Sequence, residues 1–129
     1  MPDTNSLDRK LNILVAEDNL INQKVAMMNL KQMGHEVEIA VNGKMAVDMY
    51  KAGDYDVILM DLQMPVLDGI SATVEIRKIE KENKVENPIK IIAITANALT
   101  EDRKRCFEVG MDYFMTKPFR AEELIKALK

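Results

Sequence analysis

Five short apolar runs recur along the chain, each followed by a longer stretch of helix-forming composition. The runs are KLNILVA (Lys10–Ala16), HEVEIA (His35–Ala40), DVILM (Asp56–Met60), IKIIAI (Ile89–Ile94) and DYFMT (Asp112–Thr116). Their Val and Ile content predicts strands. After them come NLINQKVAMMNLKQM, GKMAVDMYKAG, GISATVEIRKIEKEN, TEDRKRCFEVG and RAEELIKALK, which predict helices. Gly34, Gly53 and Gly110 stand where helix C-terminal caps belong, and Asp68 precedes Gly69 as an N-cap for the third helix. Val57–Met60 has no polar break, the pattern of a strand covered on both faces.

Alternating βα units predict an α/β domain with a mostly or wholly parallel sheet and helices on both faces. Right-handed crossovers favour the doubly wound order 2-1-3-4-5, a flavodoxin-like (βα)5 fold with a five-stranded parallel sheet. Residues 1–9 read as a polar tail or linker and residues 10–129 as one domain. At 129 residues, 47% hydrophobic and 30% charged, the chain can bury a core without staples. It stops in or just after its last helix, which leaves room for it to be a piece of a longer protein as well as a whole one.

Composition narrows the function classes. The net charge of −3 argues against direct nucleic-acid binding. A single cysteine, Cys106, excludes an intrachain disulfide and fits a reducing compartment, so a cytoplasmic domain is expected. No apolar run reaches the ~18 residues of a membrane span, and MPDTNSLDRK has no signal core, so no membrane contact is expected of this domain. A monomer or weak dimer is expected.

Ligands of such sheets bind beyond the carboxyl ends of the strands, where strand order reverses. That point lies between the first strand, which ends in Glu17-Asp18, and the third, which ends in Asp61. Like charges ~4 Å apart repel by about 4 kcal/mol at an effective dielectric of ~20, so a cation is expected among these acids. Hard carboxylate oxygens suit Mg²⁺, with Mn²⁺ able to substitute, and no Cys/His cluster suggests zinc. Thr95 after the fourth strand and Lys117 after the fifth bring a hydroxyl and an ammonium to the same edge. The set suits an aspartyl-phosphate reaction, with Asp61 as nucleophile and Thr95 and Lys117 on the phosphoryl oxygens. Singly, each residue has a plainer reading: Asp61 or Asp18 as a helix cap, Thr95 as a loop hydroxyl, Lys117 as a solvated charge. Convergence on one edge outweighs these. Asp56 and Asp112 stand at the opposite ends of their strands and are read as structural, as is His35, a turn residue.

These residues, in this order, closely resemble the receiver domain of two-component response regulators. The matched segments are LVAEDN, DVILMDLQMPVLDG, IIAITANA and DYFMTKPF, within residues 10–129. The wording is most similar to receivers of hybrid sensor histidine kinases. The resemblance implies that Asp61 takes a phosphoryl group from a phosphohistidine on a histidine kinase or a histidine phosphotransfer domain. It implies Mg²⁺ held by Asp18 and Asp61, by Glu17 through water, and by the backbone carbonyl of Gln63. Thr95 and Phe114 fill its switch positions, with Phe in place of the common Tyr, and Lys117-Pro118 would be a cis peptide. Gln63 and Asn97 would flank the path of attacking water.

In the first helix Val25, Leu30 and Met33 can serve the sheet, leaving Leu20, Ile21 and Met28 for a second surface. With the family's usual contacts, Ile21, Pro118 and Phe119 become the expected partner-docking residues. Turnover chemistry is not expected beyond phosphorylation and dephosphorylation at Asp61, although a parent chain could be a hybrid kinase. An aspartyl-nucleophile phosphatase is a poorer fit, because those enzymes place the nucleophile after the first strand with a second Asp two positions on. A flavodoxin-like cofactor site would need a donor-rich phosphate loop where Glu17-Asp18 stands. A receiver-like interaction module that is never phosphorylated is the remaining alternative.

Overall fold

The computed structural model describes residues 10–96, 100–117 and 120–128. Five strands alternate with five helices: β1 (Asn12–Ala16), α1 (Leu20–Gln32), β2 (Glu36–Ala40), α2 (Gly43–Ala52), β3 (Val57–Asp61), α3 (Gly69–Glu82), β4 (Lys90–Thr95), α4 (Thr100–Glu108), β5 (Tyr113–Thr116) and α5 (Ala121–Leu128). All neighbouring strands run parallel, in the order β2-β1-β3-β4-β5. Among the described residues no helix is long and apolar enough to cross a membrane.

Side chains alternate across a strand, so an unbroken apolar run must feed two cores. Leu14, Ala16, Ile58, Met60, Ile91 and Ala93 face one, closed by Ala46 and Val47 of α2, Ala72 and Ile76 of α3, and Cys106 of α4. Ile13, Val15, Val57, Leu59, Ile92 and Ile94 face the other, closed by Ala26 and Leu30 of α1 and by Leu124 and Ala127 of α5. Every residue of β3 is buried. Burying one such aliphatic side chain is worth about 1.5–3 kcal/mol, and this double layer makes β3 a rigid base for whatever follows it. The edge strand β2 instead alternates, with Glu36 and Glu38 exposed.

Asp68 caps α3, its carboxylate accepting the Ser71 N–H at 2.8 Å, as expected. The cap of α1 is Asn19, whose side chain accepts the Asn22 N–H at 3.0 Å; Asp18 makes no cap and is left for other work. Gly34 and Gly110 adopt positive φ (+93° and +103°), the backbone that glycine alone takes without strain. Gly53 does not: at φ −109° it is extended, and its lack of a side chain makes room for the Tyr55 ring. Asp56 and Asp112 stitch neighbouring strand starts together, their carboxylates accepting the N–H groups of Asn12 (2.8 Å) and Ile91 (2.9 Å).

His35 is more than a turn residue. It is 6% exposed, and its Nδ1 accepts the Leu11 N–H at 3.0 Å, docking the entry to β1. In α1 the sheet-facing residues are Ala26 and Leu30, with Met33 partly buried behind them and Val25 half-buried. Leu20, Ile21 and Met28 are exposed, as a second surface requires.

Candidate functional site

The main chain brings the acids together before any side chain does. The Glu17 N–H donates to the Ala40 carbonyl at 2.9 Å, which extends the β1–β2 pairing one residue past the strand. β3 runs one residue further than its apolar stretch and ends on Asp61, paired with Ile94 of β4. The next residue, Leu62, is held at both ends: its N–H donates to the Ile94 carbonyl at 3.0 Å, and its carbonyl accepts the Gly69 N–H at 3.2 Å. A Cβ on Gly69 would collide with the main-chain oxygen of Asp61, so only glycine lets α3 start this close to the strand end. Thr95 closes β4, and its carbonyl accepts the Lys117 N–H at 2.8 Å.

Ligand oxygens of Glu17, Asp18 and Asp61 lie within 4.8 Å of one another. Glu17 and Asp61 are buried, at 3% and 5% exposure, and Asp18 is exposed. The half-buried Lys117 spans two of them, its Nζ 2.6 Å from Glu17 Oε1 and 3.1 Å from Asp61 Oδ2. Burial alone would lower the Lys117 pKa, but its bonds to Glu17 and Asp61 outweigh that, and the ammonium titrates above its usual value. Asp61 Oδ1 accepts the Gln63 N–H at 3.2 Å. Glu17 Oε2 accepts the Asn19 N–H at 3.0 Å, so both Glu17 oxygens are engaged. Asp18 has no hydrogen bond or ion pair to any described residue.

Three carboxyl groups thus face one ammonium, a formal −3 against +1. A divalent cation balances the remaining −2, and an all-oxygen donor set open to water on the Asp18 side suits a hard ion such as Mg²⁺. Thr95 is buried at 2% exposure on the same edge. Phe114, paired with Ala93 across the sheet, is half-buried against the α2–α4 core, with the Arg103 guanidinium 5.9 Å above its ring. The structure therefore gathers Glu17, Asp18, Asp61, Thr95 and Lys117 on one edge, with Gln63 beside them. Pro118, Phe119 and Asn97 lie outside the described residues.

One contributor to the site is not singled out by the sequence pattern. Gln23 donates from its side-chain amide to the Glu17 carbonyl at 2.7 Å. Its position, four residues after the cap of α1, was the available signal. Away from the site, at the strand starts, Arg77 joins α3 to the loop before β5 through the Gly110 carbonyl, 33 positions away, which no local pattern reveals.

Comparison with known proteins agrees with this geometry. A family model described as the response regulator receiver domain matches residues 13–129. Over 120 residues the chain is 42% identical to hybrid signal transduction histidine kinase K of Dictyostelium discoideum, covering 91% of this chain and 10% of that one. It thus spans about a tenth of the length of that curated relative. The receiver domain of the Saccharomyces cerevisiae response regulator Ssk1, crystallised with the histidine phosphotransfer signaling protein Ypd1, superposes with a TM-score of 0.86 at 36% identity, covering 92% of this chain and 86% of that one. The receiver domain of sensor histidine kinase PA1611 from Pseudomonas aeruginosa, solved with a magnesium ion coordinated in its active site cleft, gives a TM-score of 0.81 at 42% identity. That match covers 93% of this chain and 95% of the other.

Proposed function

This chain belongs to the response regulator receiver domain family, and we propose that Asp61 is its phosphoacceptor, charged from a phosphohistidine on a histidine kinase or histidine phosphotransfer domain. The observation that carries the reading is Lys117, whose ammonium reaches both Glu17 and Asp61 in the pocket that Asp18 rims.

One Asp61 carboxylate oxygen attacks phosphorus, the N–P bond to the donor imidazole breaks, and the electron pair stays on that nitrogen. The Gln63 N–H and Lys117 hold the carboxylate ready, and burial keeps bulk water from screening the contact. As charge spreads over the transferring phosphoryl oxygens, Lys117 and the Thr95 hydroxyl stabilise it. Asp18 and Asp61 would hold Mg²⁺ directly, with the Gln63 carbonyl completing the protein's share. Both Glu17 oxygens already have partners, which favours contact through water. Bound there, Mg²⁺ (or Mn²⁺) would neutralise and orient the incoming phosphoryl group.

Thr95 and Phe114 are the switch pair. Phe114 lacks a hydroxyl, so its response to phosphorylation is a change in packing. Ile21, with Leu20 and Met28 on the same helix, offers exposed apolar area for the phosphohistidine-bearing partner. The similarity to hybrid kinases supports an origin as the receiver segment of such a chain. Turnover is confined to gain and loss of phosphate at Asp61.

Incubation with acetyl phosphate and Mg²⁺, followed by intact-mass measurement, tests the reading. The unsubstituted chain is expected to gain one phosphoryl group, and Asp61→Asn to stay at background. Labelling that persists in Asp61→Asn would remove Asp61 from the role.

A further inference from the structure

Among the described residues, Asp18 is the one acid of the cluster whose side chain has no hydrogen bond or ion pair. Its direction then depends on the peptide units around it. The unit before it carries the Glu17 carbonyl, and the one after its neighbour carries the Asn19 carbonyl. Gln23 grips both. Its side-chain amide donates to the Glu17 carbonyl at 2.7 Å, and its main-chain N–H donates to the Asn19 carbonyl at 2.9 Å. Asn19 in turn donates its N–H to Glu17 Oε2 at 3.0 Å and caps α1 through Asn22. The Glu17-Asp18-Asn19 tripeptide is therefore a closed loop, bracketed by a single helical residue.

We propose that Gln23 is a positioning residue for the divalent cation, aiming Asp18 through the backbone without touching the ion. The inference rests on the metal-site reading above. Groups outside the ligand shell that fix a ligand's orientation commonly change metal affinity by about tenfold or more when removed. A helix-borne side chain suits the task, because α1 is anchored in the core by Ala26 and Leu30 and cannot follow the loop if the loop moves. A purely structural role would be the satisfaction of one half-buried carbonyl, with an effect on stability alone.

Gln23→Met separates the two, since it keeps length and helix propensity but removes the donor; Gln23→Ala serves as a second variant. Mn²⁺ binding to the unphosphorylated chain is followed by electron paramagnetic resonance. Acetyl-phosphate labelling of Asp61 is measured across a Mg²⁺ series, and thermal melts check the fold. Both variants are expected to bind Mn²⁺ about tenfold more weakly. They should need correspondingly more Mg²⁺ for half-maximal labelling, and reach the unsubstituted rate at saturation. Tyr55→Phe, which breaks the 2.7 Å bond to Glu38 at the far edge of the sheet, should lower the melting temperature with Mn²⁺ affinity unchanged. If the Gln23 variants lose stability but keep Mn²⁺ affinity within twofold, Gln23 is structural and the proposal fails. If the unsubstituted chain itself binds no Mn²⁺, the metal-site reading fails with it.

Discussion

Val66 takes φ +69°, a left-handed conformation that a β-branched residue adopts only under constraint. The Leu67 N–H donates across it to the Pro65 carbonyl at 2.7 Å, and the Leu67 carbonyl accepts the Gly43 N–H at 3.0 Å. The strained turn thus ties the loop after Asp61 to the start of α2. His35 shows a second kind of constraint. Burial pushes its pKa below 6.5, against an opposing pull from Asp56, and the Leu11 N–H requires its Nδ1 to stay unprotonated. The unfolded chain binds the proton more readily than the folded one. His35 therefore contributes stability in full above about pH 6.5, and that contribution is lost as pH falls through its folded value. Urea unfolding between pH 7.5 and pH 5 is expected to show a decline that His35→Gln, which keeps an acceptor without the titration, makes shallower. Parallel declines in the two proteins would place the pH dependence elsewhere.

One arginine adds a polar clip between elements to the packing of the core. Arg77 on α3 donates to the Gly110 carbonyl (2.7 and 2.9 Å), the Ile89 carbonyl (2.8 Å), Glu80 (2.7 Å) and Asp112 (3.0 Å). Glu80, 4% exposed, also accepts the Ile89 N–H at 2.7 Å. The fork of a guanidinium makes these contacts at once, and a lysine ammonium could not. Arg77→Ala would leave Glu80 buried without its cation and is expected to cost about 3 kcal/mol in denaturant unfolding. Arg77→Lys should recover less than half of that. A loss under about 1 kcal/mol for Arg77→Ala would mean that water replaces the clip. The burial of Glu80 depends on the segment leading into β4, which donates the Ile89 N–H to it.

Over the whole molecule, the two cores hold the sheet rigid and the charge imbalance collects at its carboxyl edge. Folding must hold three acids together against repulsion that Lys117 only partly offsets. Binding a cation to the folded state alone then stabilises it by mass action, by about 1.4 kcal/mol at ten times Kd. For a domain of this size that raises Tm by about 5 °C. Calorimetry with Mg²⁺ against EDTA is expected to show this rise. Asp18→Asn should remove most of it while making the metal-free domain no less stable, since one repelling charge is gone. An equal Mg²⁺ response in Asp18→Asn would place the ion elsewhere.

The sequence by itself determined the strand count, the parallel order and the edge on which the acids, the hydroxyl and the lysine meet. Those follow from short unbroken apolar runs, helix punctuation and crossover handedness, all of which are local or topological. It also marked Leu20, Ile21 and Met28 as surplus to the core, and they are exposed. It placed Asp61 at the end of the third strand, and the pairing does run through Asp61 and on to the Leu62 N–H, which donates to Ile94. It stopped short where adjacent polar residues compete for one role. Asn19, not Asp18, caps α1, a choice between adjacent residues that only backbone geometry makes. Only the tertiary structure decided that Lys117 reaches Asp61, 56 positions away, that Gln23 brackets Asp18, and that Arg77 closes on Gly110. Such contacts depend on strand register, sheet twist and the closure of several loops together, and none of these is written in any one stretch of the chain.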